Sequence, residues 1–122
     1  MIYLLDSVIL IDHFNGIDVA TKFLHEHRGD AAISAITRAE VLTGFDEAQR
    51  ALPIRLLDTF ACLPLDQATA DLAAQLRREH RWKLPDAIQA AVAQHHDLKL
   101  VTRNTNDFPA DVFDFVLTPY LL

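Results

Sequence analysis

The sequence predicts an α/β fold, in which a central parallel sheet lies between two layers of helices as a three-layer α/β/α sandwich. Short apolar runs alternate along the chain with segments in which apolar residues recur at helical spacing. The apolar runs contain no regular polar alternation, as expected of strands that helices cover on both faces. Only 3 of the 122 residues are Gly and no low-complexity segment occurs, so residues 1–122 are predicted to form a single domain.

Five of the apolar runs have the length of buried strands. They span residues 2–5, 31–34, 62–65, 98–102 and 113–117. Between them, helical spacing predicts helices around residues 19–24, 68–76 and 88–95. Residues 46–59 are interpreted as a helical hairpin in which Pro53 begins a new turn.

The charge balance limits the ways in which the chain could contact nucleic acid. It carries 11 Lys and Arg against 17 Asp and Glu, a formal net charge of −6. This is the wrong sign for a protein that holds nucleic acid on a broad basic surface. We therefore expect any such contact to use a local patch, a metal ion or a partner protein.

The single cysteine, Cys62, excludes an intramolecular disulfide and a cysteine-based zinc site, and its apolar surroundings predict a small core residue. The first apolar run is interrupted at Asp6 and no basic segment precedes it. No stretch approaches the roughly 18–20 apolar residues of a membrane span. We therefore expect a soluble, cytoplasmic protein with no membrane partner.

Asp6 raises the first question about chemistry, because a carboxylate within an apolar run needs a partner or must take up a proton. One answer is that Asp6 is the N-cap of the helix that follows. Glu40 has a structural explanation as well, since Thr37 and Glu40 have the spacing of a capping box.

Asp86 and Asp107 can also be structural residues. Asp86 follows Pro85, and an acid at a helix start suits the helix dipole. Asp107 lies in a polar turn after a predicted strand, where Asp often bonds its own backbone.

All four acids nevertheless fall at or shortly after a strand end, or at the start of a helix that could converge there. In open parallel sheets those ends line the ligand crevice. Carboxylates gathered there raise one another's pKa unless a cation neutralises them. An all-oxygen set of ligands suits Mg²⁺ or Mn²⁺.

Five short stretches carry a family resemblance by their order and spacing. They are YLLDS at 3–7, ISAITRAEVLTG at 33–44, LPLD at 63–66, DAIQAA at 86–91 and VTRNTNDF at 101–108. With these stretches the chain resembles the PIN-domain nucleases, and among them the toxins of VapC type, over essentially its whole length.

The resemblance implies a PIN-like fold and a catalytic cluster of four acids: Asp6, Glu40, Asp86 and Asp107. Of these, Asp6, Asp86 and Asp107 would ligate Mg²⁺, for which Mn²⁺ could substitute. Glu40 would ligate the ion or position the attacking water. Ser7 and Asn104 would be polar supports of the cluster.

Basic and aromatic residues lie beside the proposed acids. Lys83 and Arg103 are assigned to the RNA backbone, with a surface charge or an ion pair as the alternative for each. Trp82 could stack a base or close the end of a helix. A basic run at that helix end suits the helix dipole and consists of Arg77, Arg78, His80 and Arg81.

The function implied by the resemblance is that of a Mg²⁺-dependent endoribonuclease, the toxin of a type II toxin–antitoxin system, which leaves 5′-phosphate and 3′-hydroxyl ends. Its partners would be an RNA substrate, a cognate antitoxin and a second copy of the chain in a homodimer. Candidate antitoxin anchors, which could equally be core residues, are Ile54, Leu56, Leu57 and Phe60.

One position departs from the family pattern, and two other functions stay open. Where the family commonly has a polar residue two places after the first Asp, this chain has Val8, which is expected to weaken metal affinity. A PIN-like domain could bind a partner without cleaving RNA, which Val8 and the acidic charge favour slightly and the presence of all four acids opposes. A phosphatase could use Asp6 as its nucleophile, although such enzymes carry a second Asp at the position of Val8.

Overall fold

The sheet is parallel throughout and has five strands. The computed structural model describes all 122 residues and places the strands at β1 (Tyr3–Leu5), β2 (Ala31–Ser34), β3 (Ala61–Leu63), β4 (Lys99–Val101) and β5 (Val116–Leu117). They form one sheet in the order β3-β2-β1-β4-β5, and every neighbouring pair is parallel. The predicted central parallel sheet is therefore confirmed.

Six α-helices flank the sheet. They are α1 (Ser7–Phe14), α2 (Asp18–His27), α3 (Ala35–Thr43), α4 (Ala51–Leu57), α5 (Gln67–His80) and α6 (Leu84–His95). The segment predicted as a helical hairpin contains instead a short 3₁₀ turn, Glu47–Gln49, followed by α4. Pro53 is the third residue of α4, where a proline is tolerated because the first turn of a helix leaves its N–H groups without helical partners.

The core has two layers, one on each face of the sheet. Leu4 belongs to a cluster of buried side chains beneath α5 and α6, whereas Leu5 belongs to a second cluster beneath α1 to α4. Successive residues of a strand point to opposite faces, so adjacent leucines supply both layers. This two-sided burial explains why the strands show no polar alternation and confirms the three-layer arrangement.

Two predictions about core residues need correction or completion. Cys62 is exposed, because β3 is the edge strand of the sheet and helices do not cover it fully; the prediction of a core residue is wrong. Leu57 and Phe60 are buried in the core beneath α1 to α4, so they cannot anchor an antitoxin, while Ile54 and Leu56 are half-buried. No helix of the chain combines the length and the apolar character that crossing a membrane requires.

The strand order places a crevice at the carboxyl ends of the central strands. From the central strand β1 the chain adds β2 on one side and β4 on the other, so the connections diverge at the carboxyl end of β1. Ligands of open α/β sheets bind at such a switch point. Asp6 follows β1 directly and its N–H donates to the carbonyl of Val101 in β4 at 2.9 Å, which fixes it at this edge.

Substitutions of Phe108 test how strongly the core supports the turn that contains Asp107. Its side chain is fully buried, 4.7 Å from the ring of Trp82 between centroids. Phe108→Ala should lower the free energy of unfolding by about 3–5 kcal/mol, measured by urea denaturation. Phe108→Leu should cost less because it leaves a smaller cavity, and an equal loss for both variants would contradict this assignment.

Candidate active site

A polar pocket of about 420 Å³ opens at the carboxyl edge of the sheet. Its walls are Asp6, Ser7, Val8, Glu40, Asp86, Arg103, Asn104, Thr105 and Asn106. Every predicted site residue except Lys83 and Asp107 lines it, so residues that are up to about a hundred positions apart in the chain converge here. Val8 contributes the single apolar side chain.

Asp6 is the most buried acid of the pocket, with 6% of its surface exposed. Its Oδ1 accepts from the backbone N–H of Ser7 at 2.9 Å and from Gln89 Nε2 at 3.3 Å, and its Oδ2 accepts from the Thr102 hydroxyl at 2.7 Å. Burial raises the pKa of Asp6, and these hydrogen bonds oppose that rise. The predicted N-cap is confirmed.

Gln89 was not predicted, yet it anchors Asp6. It is buried in α6, where its Oε1 accepts from the Ser34 hydroxyl at 2.7 Å and its Nε2 donates to the Thr37 hydroxyl at 2.6 Å. The Thr37 hydroxyl donates in turn to the carbonyl of Leu5 at 3.2 Å. A lone amide within the apolar sequence AIQAAVA was the signal that could have drawn attention to it.

Glu40 is not part of a capping box. The helix begins earlier than the sequence suggested, and its cap is Ser34, whose Oγ accepts from the N–H of Thr37 at 3.2 Å. Glu40 instead accepts from the Ser7 hydroxyl at 2.9 Å. Burial and the nearby charge of Asp6 raise the pKa of Glu40, while the Ser7 hydrogen bond opposes the rise. Glu40 thus faces the pocket from α3, held by a residue of α1.

The negative charges of the other three acids contribute to the pKa of Asp86. It lies in the first turn of α6, after Pro85, as predicted. Burial raises the pKa of Asp86 to about 6, with further contributions from the charges of Asp6, Asp107 and Glu40, in that order. The positive charge of Lys83 opposes the shift. The contributions of these three charges indicate that the carboxylates lie near one another.

Asp107 is held in its turn by two neighbours. Asn104 Nδ2 donates to Asp107 Oδ2 at 3.0 Å, and Trp82 Nε1 donates to the carbonyl of Asp107 at 3.1 Å. The polar turn predicted at this position is therefore present. Trp82 is buried, with its ring against Phe108, so it closes the helix end and cannot stack on a base without moving.

Arg103 forms a bidentate ion pair. Its Nε and Nη2 donate to Asp12 Oδ2 and Oδ1 at 2.6 and 2.8 Å, and the Tyr120 hydroxyl donates to Asp12 Oδ2 at 2.9 Å. The Arg103 hydrogen bonds lower the pKa of Asp12, against a rise caused by its burial. The ion-pair alternative for Arg103 is therefore present. Neither its partner Asp12 nor Tyr120, which also binds Asp12, was predicted from the sequence. Lys83 is exposed and in no ion pair.

The acids fit a divalent cation by donor type and by charge. Three carboxylates that line one pocket, with that of Asp107 near Asp86, are the hard oxygen ligands that Mg²⁺ and Mn²⁺ prefer, and their repulsion is what a cation relieves. As they stand, no three His, Cys, Asp or Glu side chains are arranged so that they could hold a metal ion. An ion would therefore be held by one or two of the carboxylates with water completing its shell, or by more of them after side chains of the cluster turn towards each other.

Comparison with known proteins defines the class to which this fold and site belong. The PIN domain family matches residues 3–110. Ribonuclease VapC10 of Mycobacterium tuberculosis (strain CDC 1551 / Oshkosh) is 36% identical over 124 aligned residues, which cover 96% of this chain and 92% of the relative. The chain belongs to the PIN-domain family and, within it, to the VapC group. Ribonucleases of the PIN family generally use a divalent metal ion.

Solved structures agree with this assignment. A chain of a toxin-antitoxin complex from Klebsiella pneumoniae is 40% identical, with a TM-score of 0.88 over 98% of this chain and 99% of that chain. A chain of FitAcB from Neisseria gonorrhoeae is 26% identical, with a TM-score of 0.81 over 99% and 100%. The fold of the whole chain is therefore shared with these proteins.

Gln89 offers a test of the network beneath Asp6. Gln89→Met keeps the shape of the side chain but leaves the buried polar groups of Ser34, Thr37 and Asp6 short of one partner each. It should lower the free energy of unfolding by about 1–3 kcal/mol, measured by urea denaturation. Gln94→Met, at an exposed position of the same helix, is the matched control and should change it by less than about 0.5 kcal/mol. Equal effects would show that the network does not stabilise the fold.

The raised pKa of Asp86 predicts a pH dependence in metal-free protein. The folded state binds this proton more tightly than the unfolded state, whose Asp pKa is about 3.8, so this group's contribution to stability increases as pH falls from above 6 to about 4. Asp86→Asn should therefore stabilise the metal-free protein at pH 7.5, by about 1–2 kcal/mol after allowance for solvent screening. The gain should vanish near pH 4. Exposed Asp71→Asn is the control, and a destabilised Asp86→Asn protein would contradict the assignment.

Proposed function

We propose that this chain is a Mg²⁺-dependent endoribonuclease and the toxin component of a type II toxin–antitoxin system. The observation that carries the proposal is the convergence of Asp6, Glu40 and Asp86 on one pocket, with the charge of Asp107 close enough to raise the pKa of Asp86. Such a cluster destabilises the folded chain unless a cation is bound, so its presence favours a functional reason.

Relatives supply the substrate class and the partner. One is named a ribonuclease, and a chain that is 40% identical comes from a toxin-antitoxin complex. RNA as the substrate and an antitoxin as the partner are inferred from these names. A homodimer is part of the same proposal.

Each acid has a role that its surroundings support. Asp6, Asp86 and Asp107 are the proposed ligands, because Asp6 follows β1 and Asp86 lies in the first turn of α6 at one pocket, and the charge of Asp107 is close enough to raise the pKa of Asp86. A bound divalent ion would supply an activated water and neutralise charge on the phosphate. Glu40, held by the Ser7 hydroxyl, is placed to orient the attacking water and to accept its proton. Its raised pKa makes Glu40 a stronger base than an ordinary glutamate.

Two cationic side chains lie beside the acids, Arg103 held in an ion pair and Lys83 free to move. Asp12 engages two nitrogens of Arg103, so the guanidinium is fixed at the pocket edge and Nη1 is left for a phosphate oxygen. Lys83 is exposed and can move. We assign both to the RNA backbone, Arg103 as a rigid contact and Lys83 as an adjustable one.

An apolar groove next to the acidic pocket is the proposed seat of the antitoxin. It consists of two adjoining hollows of about 370 and 140 Å³, which share Phe14, Gly44 and Phe45. One hollow reaches Glu40, and the other includes Leu52, which is 72% exposed. A segment in this groove would bury apolar surface and end at the catalytic acids. Leu52 therefore replaces the buried Leu57 and Phe60 as an anchor.

The experiment is cleavage of structured RNAs by the purified chain, with Mg²⁺ or Mn²⁺ against EDTA. The parent should cut RNA only with the metal, and Asp86→Asn should lower the rate by at least about 100-fold, because it removes a ligand and leaves the fold intact. Asp71→Asn is the matched control and should cut at the parental rate. Cutting that persists in EDTA or in Asp86→Asn would contradict the proposal. RNA binding without cleavage would support a binding module, and a trapped aspartyl-phosphate a phosphatase.

A further inference from the structure

A second concave surface contains unpaired arginines. This pocket of about 340 Å³, here called the arginine pocket, is lined by Arg77, Arg78, Arg81 and Trp82. All three arginines are exposed, and none takes part in any of the four ion pairs of the chain. The nearest carboxylate along the helix, Glu79, accepts from Gln75 Nε2 at 3.1 Å and lies 3.9 Å from His80 Nε2. Three guanidinium groups therefore border one cavity without an anionic partner.

The helix dipole accounts for only part of this arrangement. Arg77 and Arg78 lie in the last turn of α5, where cations are favoured. Arg81 follows the helix in the left-handed region, with φ 59° and ψ 27°, a conformation that favours glycine over a long side chain. The chain thus keeps an arginine at a strained position. A third cation beside two others is unfavourable unless an anion binds between them.

Trp82 connects the arginine pocket to the active site. Its ring forms part of the arginine pocket, and its Nε1 donates to the carbonyl of Asp107 at 3.1 Å. Lys83 comes next along the chain, followed by Asp86 in the first turn of α6. One side chain therefore lies between the arginines and the turn that carries a proposed metal ligand.

We propose that Arg77, Arg78 and Arg81 bind the phosphodiester backbone of the RNA on one side of the bond that is cut. The inference rests on the proposed function and extends it. Guanidinium groups pair with phosphate oxygens through two hydrogen bonds each, without reading a base. The arginine pocket would thus add affinity for RNA long enough to reach it and leave the chemical step unchanged.

The test compares two triple variants of equal charge. Arg77→Gln, Arg78→Gln and Arg81→Gln together remove the arginine pocket, while Lys22→Gln, Arg28→Gln and Arg55→Gln remove the same charge from distant surface positions. Binding of fluorescent single-stranded RNA is measured against salt, with Asp86→Asn in every protein to prevent cleavage. Log affinity decreases with log salt, and each lost phosphate contact should reduce the steepness of that decrease by about 0.7. The first triple should therefore have a slope smaller in magnitude by about 2, and the second should keep the parental slope.

Cleavage kinetics separate binding from chemistry. With Asp86 intact, the first triple should raise KM for long RNA by about tenfold or more and leave kcat within about twofold, since the lost contacts are formed equally in the ground and transition states. For an RNA too short to reach the arginine pocket, KM should equal that of the parent. A fall in kcat with unchanged KM would overturn the proposal.

Arg81→Gly is a control for misfolding, because a folding defect in the triple variant could also lower RNA affinity. Glycine adopts the left-handed conformation without strain, so the melting temperature should not fall, while RNA affinity should. If both the triple variant and Arg81→Gly bind RNA with the parental salt slope while the parent cuts RNA, the arginine pocket has no role and the proposed function stands. If the parent neither binds nor cuts RNA, both proposals fail.

Discussion

The rest of the site depends on the burial of one carboxylate, that of Asp6. A charge withdrawn from water at the end of a central strand costs several kcal/mol unless polar groups replace the lost hydration. The N–H of Ser7, the hydroxyl of Thr102 and the amide of Gln89 do so, and they come from α1, the end of β4 and α6. Because Gln89 is itself held by hydroxyls at the start of α3, one network sets the relative positions of elements on both faces of the sheet.

The remaining acids make the site unfavourable for the fold and suitable for a cation. Glu40 and Asp86 are positioned by α3 and the start of α6, which the two hydrophobic layers hold in place, so the carboxylates cannot simply separate. Burial and, after it, this repulsion raise the pKa of Asp86. Stability given up at a functional site is expected when the rest of the sequence is locally consistent with the fold, as the apolar strands and capped helices are here.

The features of the site that depend on local pattern are predictable from the sequence. Asp6, Asp86 and Asp107 could be placed because a strand end or a helix start is visible within a few residues, and parallel strands end at a common edge. The partners of Gln89, Asp12 and Tyr120 could not, since they lie 52 to 108 positions away and only the packed fold brings them together. Cys62 failed for a related reason: whether a strand is central or at the edge depends on sheet order, which no local pattern encodes.

The charge distribution limits how a polyanion could approach the pocket. A net charge of −6 disfavours the approach of RNA, and charges farther apart than the Debye length of about 8–10 Å are largely screened, so attraction must come from cations close to the acids. Arg103 contributes little net charge, because Asp12 neutralises it. Lys83 and the arginine pocket, whose cations are in no ion pair, fall within residues 77–83, on the Trp82 side of the Asp107 turn. Attraction from one side only would place the RNA backbone on that side of the acidic pocket without any base being read.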